Sequence, residues 1–207
     1  MRSTSNRHKE RSAPCHPRRS GLGHLRITGG IHCSRQLEVP VIPGLRPAQD
    51  RVRAAVFSAL ANWVPDARVL DLFAGTGAYG IEALSRGAKS ALFIEHNHRT
   101  AESLRHNLET LDYNFPVLET PVENWIPSGP AESFDLIFLD PPYDQTPEEL
   151  SSWNVTAGLD RLLAPKGRII WEHSHRAKWS TETPLHEAWR REYGQTCISF
   201  LARDYQP

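Results

Sequence analysis

Two clusters of residues have types and spacings that could do chemistry. In the first, Val69-Leu70-Asp71-Leu72-Phe73 runs into Ala74-Gly75-Thr76-Gly77-Ala78-Tyr79-Gly80, an apolar strand leading into a GxGxxG turn. Glycines permit positive φ and let a ligand come close to the backbone, and the helix expected after the turn offers free N–H groups. Glu95 closes the next apolar run, where a carboxylate can accept hydrogen bonds from both hydroxyls of a ribose. Turn and acid together point to an adenosine-containing cofactor. A nicotinamide dinucleotide is the rival reading, and Asp71 decides between them. An acid just before the turn repels a pyrophosphate, whereas it suits the ammonium of a methionine moiety.

The second cluster follows Phe134-Asp135-Leu136-Ile137-Phe138-Leu139, an apolar run that delivers Asp140-Pro141-Pro142-Tyr143. The two prolines stiffen the turn and remove N–H donors, which leaves the Asp140 carboxylate and the Pro141 carbonyl as outward acceptors. The exocyclic amine of guanine or adenine is a poor nucleophile because its lone pair is delocalised into the ring. Two acceptors holding its hydrogens orient it and favour positive charge on nitrogen as a methyl group arrives, and the Tyr143 ring can stack on the base. Asp140, Pro141, Pro142 and Tyr143 are therefore the candidate catalytic residues, and Asp140 need not act as a full general base. The alternative is a polar, Pro-rich loop that merely ends a buried strand.

Both clusters need elements to position them. Runs at 68–73, 91–95, 115–119, 134–139 and 168–172 read as strands, four of them strongly apolar and so buried and parallel, and 79–86 and 98–111 between them read as helices, the second with Ala101, Leu104, Leu108 and Leu111 on one stripe. Such alternation predicts a doubly wound α/β sheet, whose ligands bind at the C-terminal ends of the strands. The strand before Asp140 should neighbour the strand before the glycine turn. Upstream, 25–41 predicts a small hairpin ending at Pro40. Asp50, as an N-cap, starts a helix with Val52, Val56, Leu60 and Trp63 on its apolar stripe, ending before Pro65. Downstream, 185–192 and 196–203 read as two more strands around Gly194. There is no internal repeat.

Composition narrows the class. A chain of 207 residues with 39% hydrophobic content suits one soluble domain with a proper core. No run approaches the roughly 18 apolar residues of a membrane span, and no secretory signal is evident, so no membrane association and a cytoplasmic location are expected. Cys15, Cys33 and Cys197 have neither disulfide-framework nor zinc-ligand spacing, and the His96/His98 and His173/His175 pairs lack a third ligand nearby in sequence. No metal site is expected. The formal net charge of zero hides a basic start: Arg2, Arg7, Lys9, Arg11, Arg18, Arg19 and Arg26 stand against the single acid Glu10. A basic arm on an acidic body suits a polyanionic partner; the alternatives are a solvated tail or, by its Arg- and Ser-rich composition, a transit peptide.

Together these residues resemble the class I methyltransferases. The resemblance narrows with Gly44-Leu45-Arg46-Pro47-Ala48-Gln49-Asp50-Arg51-Val52-Arg53, with Leu25-Arg26-Ile27-Thr28-Gly29-Gly30 and with Glu82-Ala83-Leu84-Ser85-Arg86-Gly87-Ala88. Over roughly residues 25–203 the chain is similar to the bacterial 16S ribosomal RNA guanine-N2 methyltransferase family, the guanine 966 enzymes. The resemblance implies an α/β, Rossmann-like class I methyltransferase fold: a mostly parallel, seven-stranded, doubly wound sheet with a small N-terminal hairpin extension. It implies S-adenosylmethionine as donor and 16S ribosomal RNA, in the small subunit or its assembly intermediate, as partner. The implied cofactor set is Asp71, Phe73, Ala74, Gly75, Thr76, Gly77, Glu95, His96, Pro121, Val122 and Asp140. Pro121 stands where the family tends to carry Asp or Asn, so backbone atoms at Pro121 and Val122 are expected to grip the adenine.

On this reading 1–24 is a basic flexible arm, 25–64 an RNA-facing extension of hairpin and helix, and 65–207 the methyltransferase domain of a monomer. Arg46, Arg51 and Arg53 are the candidate RNA-binding residues. Arg51 and Arg53 flank Val52 on opposite sides of a helix, so one of them has a structural alternative in an ion pair to Asp50 or another carboxylate. Two rival functions are a DNA adenine-N6 methyltransferase, which usually needs a sizeable recognition domain, and a non-catalytic RNA-binding module on the same scaffold.

Overall fold

The computed structural model describes residues 22–40, 50–142, 155–179 and 183–203. A hairpin, β1 (Leu22–Arg26) and β2 (Gln36–Pro40), precedes helix α1 (Asp50–Ala59). Strand β3 (Arg68–Leu72), helix α2 (Ala78–Ser85), strand β4 (Ser90–Glu95), helix α3 (His98–Thr110) and strand β5 (Val117–Glu119) then alternate. A short helix α4 (Val122–Trp125) leads through a 3-10 turn to β6 (Phe134–Leu139), and α5 (Val155–Leu162) leads to β7 (Leu163–Ser174), β8 (Leu185–Tyr193) and β9 (Thr196–Arg203).

Seven strands form one sheet in the order β5-β4-β3-β6-β7-β9-β8. The pairs from β5 to β7 are parallel, and β9 pairs antiparallel with both β7 and β8. The expected Rossmann-like class I methyltransferase sheet is thus present, with β6 beside β3 as anticipated. From β3 the chain winds outward through β4 and β5, then returns to β6 and winds the other way. The crevice between the C-terminal ends of β3 and β6 is the topological switch point, where such sheets bind ligands.

Period-two alternation along buried strands divides the core in two. Val69 of β3 and Leu136 and Phe138 of β6 face α1, α2, α3 and the hairpin, whereas Leu70, Leu72, Ile137 and Leu139 face α4 and α5. Asp71, in phase with Val69, is therefore carried to the α2 face. Helix α3 starts where Asn97 accepts the Thr100 N–H, at 3.2 Å, as an N-cap.

The hairpin docks on α2 and α3 through polar clamps. The Thr28 N–H donates to Glu82 Oε2 at 2.8 Å, and the Glu38 N–H donates to Asn107 Oδ1 at 2.8 Å. Asn107 Nδ2 also donates to the Thr76 carbonyl at 3.1 Å, joining the hairpin side of the molecule to the glycine turn. Helix α1 runs against the strand direction. Its Asp50 end lies at the C-terminal edge of the sheet, because Trp63, beyond its other end, lies under the Arg168 guanidinium near the start of the β6–β7 pairing, 4.3 Å from the ring centre. Trp63 was expected on the apolar stripe but is 41% exposed: the helix ends at Ala59, so its periodicity no longer governs residue 63. Among the described residues no helix is long and apolar enough to cross a membrane.

Candidate active site

The β3–α2 turn is shaped by left-handed backbone at Phe73, Gly75 and Gly77, with φ values of 57°, 56° and 87°. Gly77 serves conformation and packing at once, since a Cβ there would collide with Leu104 and Ile81. Gly80 serves packing alone: a Cβ would meet the Phe93 ring and the Asp71 carboxylate. The last glycine of the motif therefore lets α2 approach β3 and β4 closely.

Asp71 and Glu95 both brace this turn from beneath. Asp71 Oδ2 accepts the Gly80 N–H at 2.8 Å, and burial, only partly offset by that hydrogen bond, pushes its carboxyl up to about 8. Glu95, at the end of β4, accepts the Gly75 N–H at 2.8 Å through Oε2 and the Asn97 N–H at 2.7 Å through Oε1. His96 is exposed beside it, with Nδ1 3.4 Å from Glu95 Oε1. One strand further out, Thr120 N–H donates to the Glu95 carbonyl, Pro121 caps α4, and the Val122 side chain is buried in the core, so only backbone is offered there. Phe73, Ala74, Gly75, Thr76, Gly77, Glu95, His96, Pro121 and Val122 thus lie along one edge of three adjacent strands, and Asp71 lies just beneath it.

Asp140, Pro141 and Pro142 follow β6 at the same edge; Leu72 and Leu139 are paired in register, so Asp140 emerges beside the glycine turn. Asp140 is half-buried, Pro141 buried and Pro142 exposed. Burial, then the charges of Glu172 and Asp71, hold the Asp140 carboxyl well above the usual carboxylate range. Glu172 and Tyr79 complete this corner. The Tyr79 hydroxyl donates to Glu172 Oε2 at 2.7 Å, and the Tyr79 ring stacks on Phe138 with centroids 5.0 Å apart. The sequence reading gave neither residue a role, although Glu172 repeats the Glu95 pattern of an acid closing an apolar strand. Tyr143 lies outside the described residues.

The three arginines assigned to RNA fare differently. Arg46 lies outside the described residues. Arg51 is exposed in the first turn of α1 and makes no ion pair among the described residues. Arg53 requires a correction, because its side chain is fully buried. It bonds Glu82 Oε2 through Nε at 3.2 Å and Asp50 Oδ1 through Nη2 at 3.0 Å, and Nη2 also donates to the Arg26 carbonyl. It cannot reach a polyanion and instead ties α1 to α2 and the hairpin.

These groups suit a cationic adenosine compound. A carboxylate offers about four lone-pair positions, and Glu95 spends one per oxygen on the backbone, so each oxygen can still accept a ribose hydroxyl. Asp71, Glu95, Asp140 and Glu172 bring four acids to the ends of neighbouring strands; crowding and burial keep Asp71 and Asp140 protonated in the free chain, and a cationic ligand, unlike a pyrophosphate, would favour their ionised forms. No cluster of His, Cys, Asp or Glu with metal-holding geometry occurs among the described residues.

The family described as conserved hypothetical protein 95 matches residues 25–202. Ribosomal RNA small subunit methyltransferase D of Escherichia coli K12 is 42% identical over 128 residues, which are 61% of this chain and 64% of that protein. The match therefore spans slightly less than two thirds of that relative. A Bacillus subtilis protein, YlbH, provisionally named an rRNA methyltransferase, is 29% identical over 184 residues, 86% of this chain and 99% of that one. Among solved structures, Escherichia coli yhhF, provisionally named a methyltransferase, superposes with a TM-score of 0.75 at 32% identity, covering 89% of this chain and 100% of that one. With its strand order, its glycine turn and its Asp140 loop on that common scaffold, the chain belongs to the conserved hypothetical protein 95 family and has the class I methyltransferase fold.

Proposed function

We propose that this chain is an S-adenosylmethionine-dependent methyltransferase that modifies the exocyclic N2 of a guanine in 16S ribosomal RNA of the small subunit or its assembly intermediate. It acts as a cytoplasmic monomer on this reading. The observation that carries the proposal is the register of β3 and β6, which sets the acid-braced glycine turn and the Asp140-Pro141-Pro142 loop side by side at the switch point. The names of the Escherichia coli and Bacillus subtilis relatives support ribosomal RNA as the substrate class.

When bound, the cofactor supplies a methyl group on a sulfonium, an electrophile that needs no metal. The chain supplies the rest. Glu95 would accept from the ribose hydroxyls, and Asp71 would meet the ammonium. Asp140, ionised once a cationic donor offsets the charges that keep it protonated in the free chain, and the Pro141 carbonyl would accept the two amine hydrogens and turn the nitrogen lone pair out of conjugation. The amine would become acidic as it is methylated, and the ionised Asp140 carboxylate would take up the proton released. The Tyr79–Glu172 pair backs this corner.

The test is to incubate the protein with methyl-labelled cofactor and unmodified small-subunit RNA, then identify the labelled nucleoside. N2-methylguanosine is expected. Label found only as N6-methyladenine in added DNA would replace this reading with the DNA enzyme, and cofactor binding without transfer to any nucleic acid would remove the RNA substrate from the account.

A further inference from the structure

Beyond β7 the chain runs Ser174-His175-Arg176-Ala177-Lys178-Trp179, a basic stretch without an acid. β7 is parallel to β6, with Leu139 level with Trp171, so this segment leaves the sheet at the same edge as Asp140, Pro141 and Pro142. It is pinned. The Ala177 N–H donates to the Ser174 carbonyl at 3.0 Å, and the Ala177 side chain is buried in the core. The Trp179 ring meets Trp171 edge-on at 5.3 Å and its Nε1–H donates to Thr183 Oγ1 at 2.9 Å, while Arg190 Nη2 donates to the His175 carbonyl at 3.1 Å. With Ala177 and Trp179 turned inward, His175, Arg176 and Lys178 are held out in solvent.

The charge pattern around this loop is uneven. Arg190 lies near Glu187 and Glu192, Arg203 bonds Asp160 and Arg68 bonds Asp135, so many surface arginines have an acid beside them. Arg176 and Lys178 make no ion pair among the described residues. Arg51 and Arg99, at the same sheet edge across the glycine turn, share that state and are exposed. Unpaired cations around an edge whose own chemistry is acidic give a polyanion a place to lie without entering the carboxylate cluster.

We propose that Arg176 and Lys178 form a phosphate-binding contact for substrate RNA, holding the backbone that flanks the target base beside the Asp140 loop. The proposal rests on the reading of the chain as an RNA methyltransferase. Pinning by Ala177 and Trp179 matters because cations fixed in place lose less freedom when they bind than a floppy loop would.

The experiment compares wild-type protein with the double variant Arg176→Ala/Lys178→Ala, and with the charge-keeping Arg176→Lys/Lys178→Arg, on unmodified small-subunit RNA across a salt series. Loss of two phosphate contacts should weaken RNA binding about 10- to 100-fold near 0.1 M salt and make the salt slope shallower by about 1.5 to 2. KM for RNA should rise while kcat at saturation, cofactor affinity and melting temperature stay put, and the charge-keeping variant should behave as wild type. If wild type binds and methylates RNA but the alanine variant binds it equally well with the same slope, the loop is not an RNA contact and the functional reading survives. If the alanine variant loses melting temperature and cofactor affinity in step with RNA binding, the loop belongs to the fold and the proposal fails. A wild-type protein that neither binds nor methylates RNA overturns both.

Discussion

Asp71 and Glu95 are both acids near the ends of apolar strands, yet their surroundings give them different work. Glu95 has a backbone N–H on each oxygen and keeps acceptor capacity for a ligand, whereas Asp71 is shut beneath α2 with its carboxyl raised to about 8 against an ordinary 3.8. The sign of the linkage follows. In the folded chain Asp71 keeps a proton that the unfolded chain releases above about pH 4, so its contribution to stability is greatest at low pH and is lost as pH rises toward about 8. Without cofactor, melting temperature should fall across that window, and Asp71→Asn, which does not titrate, should flatten the profile; an equally steep profile in the variant contradicts the assignment. A cation beside Asp71 favours its ionised form, so cofactor binding near pH 7 should release a proton, seen as a buffer-dependent binding enthalpy. The place of Asp71 before the turn made it a candidate ligand residue in the sequence. Its second task, receiving the Gly80 N–H, was not, because that bond depends on how closely α2 packs.

At the scale of elements, the network around Glu82 explains how an N-terminal segment with a marginal sheet of its own is held. Glu82 is fully buried in α2 and accepts from Arg53, from Arg86 and from both the N–H and hydroxyl of Thr28. Removing one partner of such a buried pair leaves the other charged and unsatisfied. Glu82→Ala should therefore destabilise the fold by about 3–5 kcal/mol by denaturant unfolding, and a cost under about 1 kcal/mol would show that water can replace the network. The burial of Arg53 had a sequence signal. It stands three and four residues before Val56 and Phe57, on the stripe that helical periodicity turns inward, and Arg51 does not. Strands β3, β4, β6 and β7 were legible because burial gives nearly continuous apolar runs, the short edge strand β5 only by its place in the alternation, and the β8–β9 hairpin because Gly194 marks its turn. Trp63 was misread because periodicity was extended past the helix end. The short α4 was missed because Pro121 and Pro127 bracket a segment of one turn.

For the whole molecule, the decisive feature is the reversal of strand order between β3 and β6. Each chemical cluster was visible in the sequence, but their adjacency was an inference from topology, and the structure supplies it through the pairing of Leu72 with Leu139. Arg46, Tyr143 and residues 1–21 of the expected arm lie outside the described residues, whereas its last three residues, 22–24, belong to β1. The central claim is that the glycine turn holds the methyl donor while Asp140 acts on the acceptor amine next door. The most direct measurement is methyl transfer to small-subunit RNA by wild type and Asp140→Ala under single turnover, with cofactor affinity measured on the same samples. The account predicts that the variant folds and still binds S-adenosylmethionine, more weakly for the loss of one acid from the cluster, while transfer is lost at saturating cofactor; transfer at the wild-type rate by Asp140→Ala would contradict it.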